Sequence, residues 1–337
     1  MKNDWKPSLS FYDVDARDVE TIKEDVGAYK ITDAAGVSYF LKRYGIENDG
    51  DMEKNVRVYH TFEQLENETE ILRLLSENGF PSPAPIRHKN GGFVTVLGPD
   101  ADGAPAYAVM TTFLGAAPME PLRPGMTDTA FATGQAAARL HLASEAFLLP
   151  VAAKRPPMRQ DYVRRLMIRL AYGRETGALT EPQLAMLHEC GAAVTRCMDQ
   201  IDKQPGQTGL VHTDIISNNC LVAGNEVVLV DYTRSVYGYY LFDLAEMCLH
   251  GSFGGADPAL QVAILRGYHS VKPLHEEDLL HIQTLFAMFI MTVMGQTIED
   301  AKNAWLINTL EWFADVVVPG LVSGKGYWGV DGWPFET

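Results

Sequence analysis

The chain lacks the sequence features of disulfide-stapled, zinc-binding and membrane-spanning proteins. Its four cysteines, at positions 190, 197, 220 and 248, have no C-x-x-C spacing and no accompanying His/Cys cluster. We therefore expect reduced, buried thiols and no structural zinc site. The first residues contain no apolar signal-peptide core, and the longest apolar run, at residues 285–294, is about half the length that crosses a bilayer. These absences predict a cytoplasmic protein with no membrane partner and a buried helix at 285–294.

Basic residues are scarce relative to acidic ones. The chain has 28 Lys and Arg against 43 Asp and Glu, a formal net charge of −15. Nucleic-acid binding depends on clustered cations, so this balance argues against DNA or RNA as the main partner. It leaves two explanations open: a soluble acidic surface, or a cationic or polar small substrate.

The chain has no internal repeat or low-complexity tract, but its character changes near residue 112. Before that point, residues 27–32 and 37–44 flank the turn sequence DAAG and predict a β-hairpin, with Lys42 near the end of its second strand. An amphipathic helix is predicted at 63–78 and two more strands at 92–98 and 106–114.

Beyond residue 113 the patterns are mainly helical. Helices are predicted at 128–144, 161–174 and 181–200, the last with Thr180 as its N-cap, and again from 242 to 318. The predicted fold class is therefore α+β, with a small β-rich N-terminal lobe (1–112) and a larger helical C-terminal lobe (113–337).

The most informative stretch is residues 210–231, LVHTDIISNNCLVAGNEVVLVD. It contains His212, Asp214 and Asn219 in the spacing H-x-D-x(4)-N, followed by Asp231 at the end of an apolar strand. This spacing is typical of phosphoryl transfer, in which one loop holds a base beside the acceptor hydroxyl and an amide beside Mg²⁺. Asp214 is the candidate base, Asn219 and Asp231 are the candidate metal ligands, and His212 is expected to brace the loop.

The N-terminal lobe supplies candidates for the nucleotide side. Lys42 is the candidate for the α- and β-phosphates, and Glu68 on the amphipathic helix is its candidate ion-pair partner. Backbone groups of the lobe junction, at Met110, Thr111 and Phe113, are expected to read adenine. This lobe is therefore predicted to bind ATP, while the C-terminal lobe carries catalysis and the acceptor.

Each of these residues alone has a simpler explanation. A loop Asp or Asn is most often a turn residue, Lys42 could be a solvated charge, and Glu68 lies among other glutamates on a solvated helix face. Asp243, in the sequence LFDLAEM, could be a helix N-cap. Order and spacing together favour the functional interpretation, because every part of a phosphoryl-transfer site falls on its expected element.

These motifs resemble the aminoglycoside phosphotransferase/choline kinase superfamily, which has a protein-kinase-like fold. The resemblance covers residues 25–250 and rests on the H-x-D-x(4)-N loop, the strand-end Asp231 and the Glu68 helix with its G-x-P-x-P turn. Two further stretches match, the G-x-x-x-x-D-L-A helix start and the glycine-to-Leu-His helix, at Gly238, Asp243, Leu244 and Ala245, and at Gly134, Leu140 and His141. Homoserine-kinase-like members and spore-coat kinase-like proteins of the CotS type are the most similar subgroups.

The resemblance implies ATP and Mg²⁺ as cofactors and the hydroxyl of a small molecule as acceptor. The chain departs from the family in three places: Thr213 replaces the usual glycine, Ile215–Ser217 lack the common proline, and no G-x-G-x-x-G loop precedes Lys42. Gly27 is the nearest candidate for a phosphate-covering glycine.

Several functions remain open at this point. The leading hypothesis is an ATP-dependent small-molecule O-kinase acting on an amino alcohol, amino acid or sugar. An antibiotic kinase acting on aminoglycosides or macrolides is the alternative within the same chemistry, and a catalytically silent nucleotide-binding protein is the alternative from another class. Arg234 would contact a phosphate or an anionic substrate group, or form a structural salt bridge. Both a monomer and a homodimer are compatible with the sequence.

Overall fold

Two compact units make up the chain in the computed structural model, which describes residues 5–23, 27–44, 61–99, 105–249 and 257–327. Unit 1 contains the described residues up to Ala117 together with the separate segment Val230–Thr233. Unit 2 contains the described residues of Pro118–Leu229 and Arg234–Thr337. A mixed α+β fold class was predicted, and it is confirmed.

Unit 1 is built on a five-stranded antiparallel sheet. Its elements in chain order are α1 (Lys6–Leu9), β1 (Ala16–Lys23), β2 (Ala28–Asp33), β3 (Ser38–Tyr44), α2 (Phe62–Glu77), β4 (Val94–Pro99) and β5 (Pro105–Thr112). The strand order is β1-β2-β3-β5-β4. The predicted hairpin is confirmed as β2 and β3, in which Ala28 pairs with Lys42.

Successive side chains of β5 belong to two different hydrophobic clusters, one on each face of the sheet. Ala108 and Met110 belong to a cluster with Leu41 on one face. Tyr107 and Val109 belong to a second cluster with Leu65 of α2. Successive side chains of a strand point to opposite faces, so the strand residues of the second cluster hold α2 against the sheet.

The amphipathic helix α2 follows its prediction closely. Thr61 caps its first turn through a reciprocal pair of bonds with Gln64. Leu65, Ile71 and Leu75 are buried, and Leu65 packs against the sheet residues Tyr107 and Val109. Glu68 is also buried, so the solvated-face explanation for this residue is wrong.

Unit 2 is mainly helical. After β6 (Ala117–Pro118), its described elements are α3 (Thr127–Ala143), α4 (Leu149–Ala152), α5 (Gln160–Ala171), α6 (Gly173–Thr176), α7 (Glu181–Ile201), β7 (Thr208–Val211), β8 (Cys220–Ala223), β9 (Glu226–Leu229), β10 (Val236–Tyr239), α8 (Leu241–Leu249), α9 (Pro258–His269), α10 (Glu276–Thr297), α11 (Ala304–Trp312) and α12 (Val318–Val322). One turn of π-helix joins α3 to α4, and another joins α11 to α12. Strands β7 and β10 pair antiparallel, as do β8 and β9.

The predicted helices of this unit are confirmed within a few residues. Thr180 caps α7 as predicted, in a capping box with Gln183. The predicted helix at 161–174 is interrupted, because α5 ends at Ala171 and a short α6 follows.

Two helical stretches, Glu276–Thr297 and Ala304–Val322, are long and apolar enough to cross a membrane by length and composition alone. In the first, 67% of the apolar window is buried inside the protein, which is also typical of a core helix. Buried side chains of the predicted core segment 285–294 include Leu285, Met288 and Met291.

Candidate functional site

The predicted catalytic loop follows β7 in unit 2 and leads into the hairpin of β8 and β9. Residues Ser217–Asn219 form one turn of 3₁₀ helix at the end of the loop. The amide nitrogen of Asn219 donates to the Asp214 carboxylate at 2.8 Å and to its backbone oxygen at 3.0 Å. Because the amide nitrogen is committed to Asp214, the side-chain oxygen of Asn219 is the atom left for a cation.

A buried carboxylate fixes the start of this loop. Asp243 Oδ2 accepts a hydrogen bond from the backbone nitrogen of His212 at 2.9 Å, and Oδ1 accepts from that of Thr213 at 2.8 Å. The ring of His141 contacts the same Oδ2 at 2.9 Å and the hydroxyl of Tyr268 at 2.8 Å. These bonds hold the two residues immediately before Asp214.

Burial favours the neutral form of the His141 ring. The His141 ring is completely buried, and burial lowers its pKa, although hydrogen bonding to Asp243 acts in the opposite direction. The ring stacks on Tyr240 with centroids 4.4 Å apart. A neutral ring with Nε2–H donating to Asp243 and Nδ1 accepting from Tyr268 satisfies both contacts.

Asp243 is the functional residue whose role sequence reasoning missed. It lies in the first turn of α8, but its carboxylate bonds the loop rather than the helix terminus, so the N-cap explanation is wrong. The bonds span 30 and 31 residues, and no local spacing reveals them. The only signal in the sequence was the family resemblance of the D-L-A segment.

Two non-glycine residues among those described adopt a positive φ, and both belong to the predicted site. Thr213 has φ 56° and Asp231 has φ 66°. The hydroxyl of Thr213 donates to the backbone oxygen of Arg234 at 2.7 Å, which compensates for placing a β-branched residue where the family has glycine. Strain of this kind concentrates at functional sites.

Arg234 forms an ion pair with the candidate base. Its Nη1 lies 3.4 Å from Asp214 Oδ1, with 49% of the Arg234 side chain and 16% of the Asp214 side chain exposed. An ion pair this long and this exposed contributes little to stability. The guanidinium therefore serves mainly as a positive charge beside the base.

The nucleotide-side residues meet within unit 1. Lys42 Nζ lies 2.6 Å from Asp231 Oδ2 and 4.9 Å from the ring centroid of Tyr44. The Thr233 hydroxyl contacts the carboxylates of both Asp231 and Glu68, the latter at 3.1 and 3.2 Å. The segment Val230–Thr233 thus brings Asp231 to Lys42 and Thr233 to Glu68.

The predicted ion pair between Lys42 and Glu68 is wrong. Within the described residues, Lys42 forms its ion pair with Asp231. Asp231 has a positive φ, and its carboxylate contacts the ammonium of Lys42 directly. The hydroxyl of Thr233 contacts the carboxylate of Glu68. Glu68 is therefore linked to Asp231 through the hydroxyl of Thr233.

Several backbone groups of the segment predicted to bind adenine already form hydrogen bonds within unit 1. Met110 O accepts from Ile86 N, Thr112 N donates to Ala84 O, and Phe113 N donates to Ser38 O. Beyond the end of β5, neither the carbonyl of Phe113 nor the N–H of Leu114 forms such a bond within the described part of the chain. Thr111 lies inside the β3–β5 ladder, opposite Phe40.

Gly27 has a structural explanation of its own. It has φ 61°, its carbonyl accepts from Arg43 N, and an added Cβ would lie 3.1 Å from the Cβ of Arg43. Glycine is therefore required by the turn into β2, and its predicted contact with phosphate remains a prediction.

The donor set fits a divalent cation only in part. Within the described ranges, no three His, Cys, Asp or Glu side chains form a group that would hold a metal. Magnesium typically binds one or two protein oxygens and completes its shell with phosphate and water. Asn219 and Asp231 each offer such an oxygen.

Comparisons with known proteins agree with this chemistry. The model of the phosphotransferase enzyme family (APH) matches residues 18–280. A homoserine kinase from Janthinobacterium sp. (strain Marseille) is 28% identical over 235 residues, 67% of this chain and 66% of that one. A homoserine kinase from Burkholderia cenocepacia (strain HI2424) is 30% identical over 235 residues, 66% of this chain and 65% of that one. The chain thus spans just under two thirds of the length of these curated relatives.

Solved structures share the fold. A microcompartment-associated aminopropanol kinase aligns with a TM-score of 0.69 at 17% identity, over 95% of this chain and 97% of that one. The amicoumacin kinase hAmiN, solved with AMP-PNP, Ca²⁺ and Ami, aligns with a TM-score of 0.68 at 16% identity, over 97% of this chain and 94% of that one. The expected kinase-like fold is confirmed, and the chain belongs to the phosphotransferase enzyme family.

Proposed function

We propose that this protein is an ATP-dependent phosphotransferase that transfers the γ-phosphate to a hydroxyl of a small molecule. The observation that carries the proposal is the fixation of Asp214. Its carboxylate is held by Asn219, and the preceding backbone is held by the buried Asp243. A carboxylate positioned in this way can orient an acceptor hydroxyl and accept its proton.

The donor side is assigned residue by residue. Lys42 binds the α- and β-phosphates, and Asn219 and Asp231 are the ligands for Mg²⁺. The metal, when bound, neutralises charge on the phosphate oxygens. Glu68 supports the segment that carries Asp231, through Thr233. His212 braces the loop from a buried position.

Adenine recognition is proposed for the segment from Met110 to Leu114. Met110, Thr111 and Phe113 line it, and the carbonyl of Phe113 and the N–H of Leu114 supply the hydrogen bonds. We retain Gly27 as a candidate for approaching the phosphates. We also propose that residues 1–112 form the ATP-binding domain and residues 113–337 the catalytic and acceptor domain.

The acceptor class is proposed from the relatives. The similar proteins include homoserine kinases and an aminopropanol kinase, which points to a short amino alcohol or amino acid. The reaction is placed in the cytoplasm, with no nucleic-acid or membrane partner, in a monomer or homodimer. A second candidate, an antibiotic kinase, is favoured by the likeness to an amicoumacin kinase and by the net charge of −15.

The direct test is ATP consumption with Mg²⁺ in the presence of homoserine, choline, ethanolamine, 1-aminopropan-2-ol, sugars and aminoglycosides. Turnover with one class identifies the acceptor. ATP binding without turnover on any alcohol would support the silent nucleotide-binding alternative and end the enzyme proposal.

Asp214→Asn should lower kcat by about 10²- to 10⁴-fold, because the amide cannot accept the acceptor's proton. Nucleotide affinity, measured by calorimetry with AMP-PNP, should change little. Asp315→Asn, at an exposed position in unit 2, is the matched control and should retain full activity. Full activity of Asp214→Asn would remove Asp214 from its assigned role.

A further inference from the structure

Arg234 is a half-exposed cation in direct contact with the candidate base, and the proposed reaction gives it no task. Its Nη1 lies 3.4 Å from Asp214 Oδ1, and 49% of its side chain is exposed. A guanidinium usually bonds a carboxylate at about 2.7–2.9 Å and often through two parallel N–H groups. Within the described residues the Arg234 guanidinium makes this single, longer contact, so most of its N–H groups are available to a ligand.

The backbone that carries this side chain is fixed at two consecutive carbonyl groups. The Thr213 hydroxyl donates to the oxygen of Arg234 at 2.7 Å, and Nε of the buried Arg155 donates to the oxygen of Ser235 at 2.8 Å. Thr213 immediately precedes Asp214, so the same bond links the backbone of the arginine to that of the base. The guanidinium is therefore an accessible group on a preorganised backbone, as a binding residue requires.

The two carboxylate oxygens of Asp214 have different surroundings. Oδ2 accepts from the amide of Asn219 at 2.8 Å, whereas Oδ1 is the atom that the guanidinium of Arg234 contacts. An acceptor hydroxyl at hydrogen-bond distance from Oδ1 would lie within about 6.5 Å of Arg234 Nη1. Carbon–carbon bonds are about 1.5 Å long, so an anionic group two or three carbon atoms from that hydroxyl can reach the guanidinium.

The positive charge of Arg234 is not required by the other carboxyl group nearby. Burial raises the pKa of Glu246, on α8, well above its ordinary value, and the carboxylates of Asp243 and Asp214 raise it further, while Arg234 acts in the opposite direction. The neutral form of Glu246 is therefore favoured. In a chain with a net charge of −15, an anionic acceptor needs a local cation, and Arg234 supplies one at the base.

We propose that Arg234 is a specificity-determining residue that binds a carboxylate of the acceptor, so that short hydroxy acids, including hydroxy amino acids, are preferred over amino alcohols. This inference rests on the proposed kinase function and deepens it, because the relatives suggest both acceptor classes. The guanidinium donates to the acceptor's carboxylate, for which its planar fork of N–H groups is suited. The acceptor's hydroxyl donates to Asp214 Oδ1.

The test compares L-homoserine with 3-aminopropan-1-ol, which has the same skeleton with a hydrogen atom in place of the carboxylate. Values of kcat and KM are measured with ATP and Mg²⁺, and Kd is measured by calorimetry with and without AMP-PNP. Arg234→Gln removes the charge, and Arg234→Lys keeps the charge without the planar fork. Arg196→Gln, at an exposed position on α7, is the matched control.

Arg234→Gln should lower the preference for L-homoserine, expressed as the ratio of the two kcat/KM values, by about 10- to 100-fold, the effect of hydrogen bonding between charged groups. The Kd of L-homoserine should rise by a similar factor, Arg234→Lys should recover part of the loss, and Arg196→Gln should behave as wild type. An equal loss for both acceptors would assign the guanidinium to phosphate or to Asp214 and overturn the inference. A wild-type protein that bound 3-aminopropan-1-ol as tightly as L-homoserine, or did not bind L-homoserine, would also overturn it.

A measurement on the wild-type protein covers the case in which the Arg234 variants fail to fold. L-2-Aminobutanoate and propan-1-amine both lack the hydroxyl, and they differ from each other by the carboxylate. L-2-Aminobutanoate should bind about tenfold more tightly or better, and equal Kd values would contradict carboxylate recognition. Failure of the kinase proposal is distinguishable, because it appears as an absence of turnover on any alcohol, whereas the preference for a carboxylate is measured by Kd.

Discussion

At the scale of single residues, Asp231 combines a strained backbone with a direct contact to Lys42. Its φ of 66° lies in the left-handed region, which Asn tolerates and which most other residues avoid. Asp231→Asn should therefore keep the local backbone and weaken the proposed metal site. We expect AMP-PNP affinity to lose most of its dependence on Mg²⁺, measured by calorimetry with and without the metal.

Asp315→Asn serves as the control for that experiment, because it makes the same chemical change at an exposed position. Asp231→Ala should lower stability further, since alanine tolerates the left-handed conformation poorly. An undiminished effect of Mg²⁺ on AMP-PNP binding to Asp231→Asn would exclude Asp231 as a metal ligand.

His141 should make the protein less stable in mild acid. The native ring stays neutral because burial lowers its pKa, whereas in the unfolded chain a histidine takes up a proton below about pH 6.5. The unfolded state then binds more protons, so the free energy of unfolding falls as pH drops below about 6.5, by at most about 1.4 kcal/mol per pH unit.

Denaturation of His141→Gln between pH 7.5 and 5 tests this expectation. The variant should be less stable at pH 7.5 but should lose less stability on acidification than wild type. His188→Gln, at an exposed position on α7, should keep the wild-type slope. Parallel curves for wild type and His141→Gln would refute a neutral native ring.

At the scale of elements, α3 and α9 approach closely through two glycines. An added Cβ at Gly134 would lie 2.0 Å from the Ile264 carbonyl oxygen, and one at Gly267 would lie 1.9 Å from that of Phe131. Gly134→Ala should therefore destabilise the protein by about 1–3 kcal/mol through overpacking, although alanine has a helix propensity about 1 kcal/mol more favourable than glycine.

Gly191→Ala on α7 is the matched comparison, measured by urea denaturation alongside Gly134→Ala. Its added Cβ would meet the flexible side chain of Met167, at 3.1 Å from the sulfur, and Val163 Cγ1 at an ordinary contact distance of 3.9 Å. It should be close to neutral or slightly stabilising. If Gly134→Ala were as stable as wild type, α3 and α9 would be able to move apart with little loss of folding free energy.

The accuracy of sequence-based prediction at this scale depended on local signals. Helices α2 and α7 were predicted within one or two residues, because caps and apolar spacing mark them. Strand β1 was missed, because its sequence ARDVETIK is mostly charged or polar and mostly exposed, and its pairing with β2 depends on backbone bonds. In the site, the order of residues predicted Asp214 with Asn219, whereas Asp243 acts across a separation that no local pattern records.

At the scale of the whole molecule, the four cysteines report on the integrity of the fold. All four are buried, and burial raises the pKa of Cys190 and Cys197 to about 12 and that of Cys220 and Cys248 further. Thiolate is the reactive form, so native protein at pH 8 should react with Ellman's reagent only very slowly.

Four thiols per chain should react rapidly once the protein is unfolded in guanidinium. Ser323→Cys, at an exposed position, should add one thiol that reacts at once in the native state. Rapid reaction of any native cysteine would indicate local opening of the element that carries it.

The segment Val230–Thr233 limits which truncated fragments and which chimaeras of this protein can keep the proposed nucleotide site. It belongs to unit 1 by its contacts, although the chain on both sides of it belongs to unit 2. A truncated fragment ending at Ala117 would retain Lys42 and Glu68 but lose Asp231 and Thr233, the residues they contact. A chimaera joined near residue 117 would likewise combine Lys42 from one parent with Asp231 from another, so a functional exchange of unit 1 requires two crossovers more than 100 residues apart in the sequence.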